Sequence, residues 1–306
     1  MRLRALILCL VLLAATSAQA AKLVIVSSDA GAAYLETAQA MVAEFERRNL
    51  PGLEIVRLTV PEFVAAPALA PTLVVALGSE AALALAKMDV HAPVLCALLP
   101  RHSFERALQA TGRKASSQYS ALYLDQPLAR QIELIRLALP GAKRIGWLSG
   151  PESRDMAHTL ASVLKAGGLE LVQAGVVHGE SIFPALRSVL RDADVLLAVP
   201  DPEVYNANSI QNILLASFRA RVPLVAFSPA YVRAGALMAL YATPTQVGVQ
   251  AAAMARAVLL GKGLPATPQY LQDFSIAVNE HVARSLGLTI EPQGLAAQVR
   301  RREGGP

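Results

Sequence analysis

Residues 195–209 read VLLAVPDPEVYNANS. Val195 to Val199 form an apolar run without alternation, the pattern of a strand buried on both faces. The chain then turns polar at once, through Pro200, Asp201, Pro202, Tyr205, Asn206, Asn208 and Ser209, before a new apolar stretch opens at Ile210. A buried strand that ends in hydrogen-bonding side chains ahead of a helix is either a tight structural cap or one wall of a site. The other strand ends bear on that choice.

The same unit repeats in both directions from this stretch. KLVIVSSDAG reads as strand and polar turn, followed by the helix YLETAQAMVAEFERR with Leu35, Ala38, Val42 and Phe45 on one face. LEIVRL, TLVVALGSEAALALAKM and PVLCALLP continue the series, then SALYLDQP, the helix LARQIELIRLALP, RIGWLSGPES, a helix from Asp155 to Lys165, LELVQAGVV, a short helix around Phe183 to Leu190, and PLVAFSP after the helix Ile210 to Arg219. Near the end come the helix TQVGVQAAAMARAVLLGKG, with Val247, Ala251, Met254 and Val258 aligned, the strand FSIAVN and the helix EHVARSLGLTI. Alternating strands and helices with continuously apolar strands specify an α/β fold built of parallel sheets sandwiched by helices.

In a parallel sheet the strand C-termini share one crevice, where ligands settle. Those ends here are VSSDAG, ALGSEA, WLSGPES, AVPDPEVYN and AFSPAY, each trading apolar residues for Ser, Gly, Asp, Pro, Tyr or Asn. As a set they read as the lining of one cleft. Gly78 and Ser79 open a helix and so offer free backbone N–H groups to a polar or anionic group. Against this stands the structural alternative, since the same residue types cap any strand-to-helix turn with or without a ligand.

Residues 1–20, MRLRALILCLVLLAATSAQA, pair Arg2 and Arg4 with an apolar core and the small-residue site Ala18-Gln19-Ala20. That is the pattern of a secretory signal peptide cleaved after Ala20, with a core too short for a membrane span. Without Arg2 and Arg4 the 28 Lys and Arg fall to 26, against 23 Asp and Glu, a net charge of +3. Such a weak, scattered surplus gives no footprint for nucleic acid. Cys96 is then the sole cysteine, inside an apolar run, so no internal disulfide forms and an inert buried thiol is expected. With 54% apolar residues the chain can build its own core, and its length suits two domains. The polar segment 110–127 places the first crossing between them near Asp125 to Pro127.

From Lys22 to Pro292 the chain resembles the substrate-binding proteins of ABC transporters, in the periplasmic-binding-protein-like family that includes tryptophan- and phenylalanine-binding members. The resemblance rests on VPLVAFSPAYVRAGALMALYATPTQVGVQAAAMARAVLLGKG, residues 222–263, and on AVNEHVARSLGLTI, residues 277–290. Gly235-Ala236, Gly248, Gln250 to Ala252, Gly261 and Asn279 stand where the family's residues stand. Three signatures differ: LGSEA replaces a Thr-Pro-Ala turn, LLPRHS replaces a strand leading into Asp-Pro, and TPTQVG lacks the acidic residue before the helix glycine. The resemblance therefore carries no ligand identity.

It implies a type I clamshell of two lobes that closes by hinge motion on a small molecule such as an amino acid, and delivers it to a permease in the inner membrane. Lobe 1 is expected to be 21–125 plus about 244–268, and lobe 2 to be 126–243 plus about 269–291, with 292–306 a flexible tail. The first lobe would contribute Ser28, Asp29, Gly78, Ser79 and Arg101, the last facing a carboxylate or solvent. The second would contribute Ser149, Asp201, Tyr205, Asn206, Ser228 and Tyr231, with the tyrosines stacking on a planar face and Asp201 meeting an ammonium or hydroxyl. On this reading Asp201→Ala with Tyr205→Ala abolishes binding and leaves the fold intact. The mature protein is expected to be periplasmic and monomeric, without cofactor.

Enzymatic readings find little support. His91, His102, His158, His178 and His281 show no ligand spacing. Ser162 to Lys165 match Ser-x-x-Lys inside a helix, without companion motifs. VSSDAGAA lacks a dinucleotide fingerprint. Two non-enzymatic alternatives stay open: a ligand sensor that signals to a membrane receptor or kinase, and a scaffold that binds nothing.

Overall fold

The computed structural model describes residues 21–303; the expected signal peptide lies outside them. Twelve strands form two six-stranded sheets. The first contains β1 (Ala21–Ser27), β2 (Leu53–Thr59), β3 (Leu73–Leu77), β4 (Val94–Leu99), β5 (Tyr119–Tyr123) and β11 (Gln269–Tyr270), in the order β11-β5-β4-β3-β1-β2. The second contains β6 (Arg144–Ser149), β7 (Glu170–Gly175), β8 (Val195–Leu197), β9 (Leu224–Ala226), β10 (Met238–Tyr241) and β12 (Ser275–Val278), in the order β12-β10-β9-β8-β6-β7. Every pairing between them is parallel except β10 with β12, which runs antiparallel at the sheet edge.

The apolar runs behave as their lack of alternation requires. Leu23, Ile25, Leu73, Val75 and Leu77 face one helical layer, while Val24, Val26, Val74 and Ala76 face the other, all fully buried. In the second sheet Ile145, Trp147, Val195 and Leu197 face one layer and Leu148, Leu196 and Ala198 the opposite one. Each strand residue thus closes one of two cores, which is why neither face can be polar.

The chain passes between the sheets three times: after β5, after β10 and between β11 and β12. After the second passage helix Pro244–Leu259 returns to the first sheet and packs along helix Ala32–Arg47. Gly248 makes that crossing close: a Cβ there would lie 2.5 Å from the Thr37 carbonyl oxygen and 2.7 Å from the Ala40 Cβ. Thr243 and Gln246 start this helix with a reciprocal capping box.

Three expectations are corrected and one helix is added. The tail is not free from residue 292: Leu295–Glu303 is a helix that buries Leu295 and Val299 in the second-lobe core. Its run of arginines concealed an apolar pair at i, i+4 spacing. The return to the second sheet falls at 271–274, because the two-residue β11 pairs with β5, and so short a strand has no readable pattern. Helix Ala32–Arg47 buries Thr37, Ala38, Met41 and Phe45, whereas Leu35 is exposed and Val42 half-buried, so its inner face is rotated from the expected one. Helix Arg101–Thr111, missing from the sequence reading, packs Phe104 and Ala107 under the first sheet.

Candidate functional site

A cavity of about 340 Å³ lies where the lobes meet, a size typical of small-molecule sites. From the first lobe it takes Arg101 after β4, Asp125 after β5 and Tyr270 at the end of β11. Met156, Val199 and Pro200 of the second lobe form apolar wall, and Gln126 to Gln131 run along the first crossing. The opening stretch of sequence reaches this cavity through Val199 and Pro200.

Local backbone geometry aims the polar groups. In β4 the register with β5 shifts between Cys96 and Leu99, and Leu98 takes a left-handed φ of 55°. A bulky residue there is strained, and the bulge breaks the regular ladder just before the strand end. The Arg101 backbone N–H then donates to Asp125 Oδ2 at 2.6 Å. The Arg101 guanidinium donates to Glu105 Oε1 at 3.0 Å and reaches the other lobe at Asp155 Oδ2, 2.8 Å away. Burial works against its charge, but the Asp155 and Glu105 carboxylates outweigh that effect and hold its pKa above the ordinary value. Burial pushes the Asp125 carboxyl upward, against the pull of the Arg101 N–H. A carboxylate so placed gains from a cationic partner.

The first crossing is held from behind. Buried Arg130 donates to Gln126 Oε1 and to the Leu271 carbonyl oxygen, both at 2.8 Å, and to Glu303 Oε1 at 2.6 Å. Its guanidinium lies 4.6 Å from the centre of the Phe274 ring. One side chain therefore ties the first crossing, the third crossing and the last helix.

Among the eleven residues singled out in the sequence, Arg101 lines this cavity; most of the others perform local work. Ser28 Oγ donates to the Leu77 carbonyl oxygen at 3.1 Å and accepts from the Ala81 N–H at 3.0 Å, capping helix Ser79–Lys87 from a distance. Asp29 accepts from the Gly31 N–H in an Asx turn. Gly78 has a φ of 94°, and a Cβ there would sit 2.6 Å from the Tyr34 ring, so the Tyr34 side chain covers this strand end. Ser79 is half-buried at the head of its helix, and Ser149 is buried at the end of β6. Ser228 caps helix Pro229–Ala234 by accepting from the Ala230 N–H.

Asp201 requires a correction. It is 1% exposed, accepting from Ser153 Oγ at 2.7 Å and from the Glu203 N–H at 3.1 Å. It ties the turn after β6 to the loop after β8, leaving no approach for a ligand ammonium. Asn206 bonds the Pro202 carbonyl oxygen and the N–H groups of Asn208 and Ser209, so it folds its own loop. Tyr205, 5% exposed, packs edge-on against Phe227, which packs edge-on against Tyr231. The Tyr231 hydroxyl donates to the Tyr205 carbonyl oxygen at 3.2 Å. Removing Asp201 and Tyr205 together would therefore undo a buried knot, and the expectation of an intact fold is withdrawn.

The sequence reading missed Asp125, Gln126, Gln131 and Tyr270. Leu124-Asp125-Gln126-Pro127 carries the same polar break after a strand as the other ends, but it read as a hinge alone. Tyr270 and Gln131 gave no signal, one on a two-residue strand and the other on an amphipathic helix.

Comparison with known proteins bears on the whole architecture. A solved ligand-free, open structure of a substrate-binding protein with adhesive properties from Clostridium difficile superimposes with a TM-score of 0.68 at 19% identity, covering 89% of this chain and 97% of that one. An ABC domain from Streptococcus pneumonia in complex with L-Trp gives a TM-score of 0.60 at 17% identity, over 91% of this chain and 98% of that one. At these identities they establish a shared fold, the two-lobed type I periplasmic-binding-protein architecture. A tyrosine-binding protein of Clostridioides difficile strain R20291 is 25% identical over 187 residues, 60% of this chain and 52% of that protein, so the match spans about half of its length. The profile of the family described as "ABC transporter substrate binding protein" matches residues 63–299. Proteins of that family bind substrates rather than transform them. With most of its length matched, the chain belongs to the ABC transporter substrate-binding protein family.

Proposed function

We propose that this is an exported solute-binding protein, released into the periplasm by cleavage after Ala20, that captures a small amphipathic molecule between its lobes. It then passes that molecule to an ABC permease in the inner membrane. The solute is an amino acid or a close analogue. The observation that carries this reading is the cavity itself, which sets Arg101 and Asp125 of one lobe beside the apolar Met156, Val199 and Pro200 of the other. Only a molecule with an apolar body and a charged or zwitterionic head uses both. Tyr270, 40% exposed, supplies an aromatic face in reach of such a body. The tyrosine-binding relative and the L-Trp complex of the same fold are in keeping with that class.

Closure would follow from the same geometry. Ligand contacts to both lobes favour the arrangement in which both are near, and the three crossings supply the hinge. Among the described residues no helix is long and apolar enough to cross a membrane. A thermal-shift panel of amino acids, organic acids, sugars and nucleosides tests the class, since a ligand bound only by the folded state raises the melting temperature. Amino acids are expected to stabilise the protein, and Asp125→Asn to remove the shift. Stabilisation by sugars or nucleosides alone, or a shift that survives Asp125→Asn, would overturn the reading.

A further inference from the structure

Gln126 and Gln131, only 5% and 3% exposed, are among the residues that line the cavity along the first crossing. Gln126 Oε1 accepts from Arg130 Nη1 at 2.8 Å, and Gln131 Nε2 donates to the Gln126 backbone carbonyl oxygen at 3.2 Å. These partners fix which end of each amide is which, because a guanidinium only donates and a carbonyl only accepts. What remains is one donor, Gln126 Nε2, and one acceptor, Gln131 Oε1, both buried and without partners among the described residues. Unpaired buried polar atoms are rare enough in folded proteins to call for a specific cause.

A donor and an acceptor on neighbouring side chains can be met together by a group that both accepts and donates. A hydroxyl does so. An indole N–H only donates, a carboxylate only accepts, and a phenyl edge does neither, so each leaves at least one amide atom unpaired. The charged head of a ligand has its own partners in Arg101 and Asp125, which leaves the amides for a neutral group. The Gln131 amide is held by one long bond about a soft terminal torsion, so it can swing to meet such a group.

We propose that Gln126 and Gln131 form a hydroxyl-reading subsite, which makes the protein select an amphipathic ligand bearing a hydroxyl over the same ligand lacking it. This rests on the reading of the cavity as the solute site. A site built to hydrogen-bond a hydroxyl rejects the analogue without one strongly, because its own polar groups are stranded.

Isothermal titration of the purified protein with L-tyrosine, L-phenylalanine and L-tryptophan tests the subsite. Wild type is expected to prefer L-tyrosine by about ten-fold or more, and Gln131→Met to lose most of that preference. A similar affinity for L-tyrosine and L-phenylalanine in wild type, or an unchanged preference in Gln131→Met, would overturn the proposal. Should Gln131→Met not fold, Gln131→Glu keeps an acceptor, and the preference for L-tyrosine must then persist. If no amino acid binds, it is the amino-acid reading that fails. The subsite is then judged by p-cresol against toluene, where equal binding would refute it.

Discussion

Replacing Asp201 by alanine separates the structural role of this residue from a ligand role. The carboxylate accepts two hydrogen bonds, from Ser153 Oγ at 2.7 Å and from the Glu203 N–H at 3.1 Å, in a site 1% exposed. Hydrogen bonds to a charged group contribute about 1.5–3 kcal/mol each, and the substitution also leaves the buried Ser153 hydroxyl without an acceptor, although it still accepts from the Gly150 N–H. Neighbouring groups share that loss, so the two bonds together are expected to contribute about 3 kcal/mol to stability, with overlap keeping the total below their sum. Urea denaturation should show this as a fall in the transition midpoint at unchanged slope. Below the transition, ligand affinity should be unchanged, because Asp201 does not line the cavity. Ser153→Ala and Asp201→Ala combined should cost less than the two single losses summed, since they share one bond, while the Gly150 N–H, 3.1 Å from Ser153 Oγ, loses its acceptor only when Ser153 is replaced. A stability loss under about 0.5 kcal/mol, the range of ordinary surface substitutions, would refute the knot; so would a loss of affinity at full stability.

Gly248→Ala should destabilise by about 1–3 kcal/mol through overpacking, since its methyl would press on the Thr37 carbonyl, and urea denaturation would measure it. Arg130→Met should release Gln126, Leu271 and Glu303 together, seen as faster amide hydrogen exchange at 124–126 and 271–274 than in wild type. Burial pushes the Cys96 thiol from 9.0 to about 12. Its folded pKa is raised, so its contribution to stability is fully present below about pH 9 and is lost as pH climbs toward 12. Cys96→Ala should flatten that alkaline decline, and native Cys96 should resist thiol reagents until the protein unfolds.

The fold was legible because short continuous apolar runs between polar turns fit strands buried on both faces, and Leu23 to Val26, Leu73 to Leu77 and Val195 to Leu197 all proved to be that. The strand ends were legible as places but not as roles. Asp201, Asn206, Ser28 and Ser228 have the chemistry of ligand contacts, and they use it on backbone groups of the fold and, for Asp201, on the Ser153 hydroxyl as well, which sequence alone cannot distinguish. Asp125 escaped because the first crossing and the cavity lining share the same residues here. Gln131 and Tyr270 escaped because their importance lies in a juxtaposition between distant parts of the chain. The last helix escaped because three consecutive arginines masked Leu295 and Val299.

The measurement that tests the account most directly is a crystal structure of the protein grown with the tightest ligand from the thermal-shift panel. The account predicts ligand density in the cavity between the lobes, against Arg101, Asp125 and Tyr270 and within reach of Gln131. Density seated instead at the strand ends around Ser28, Gly78 and Ser79, with that cavity empty, would contradict it.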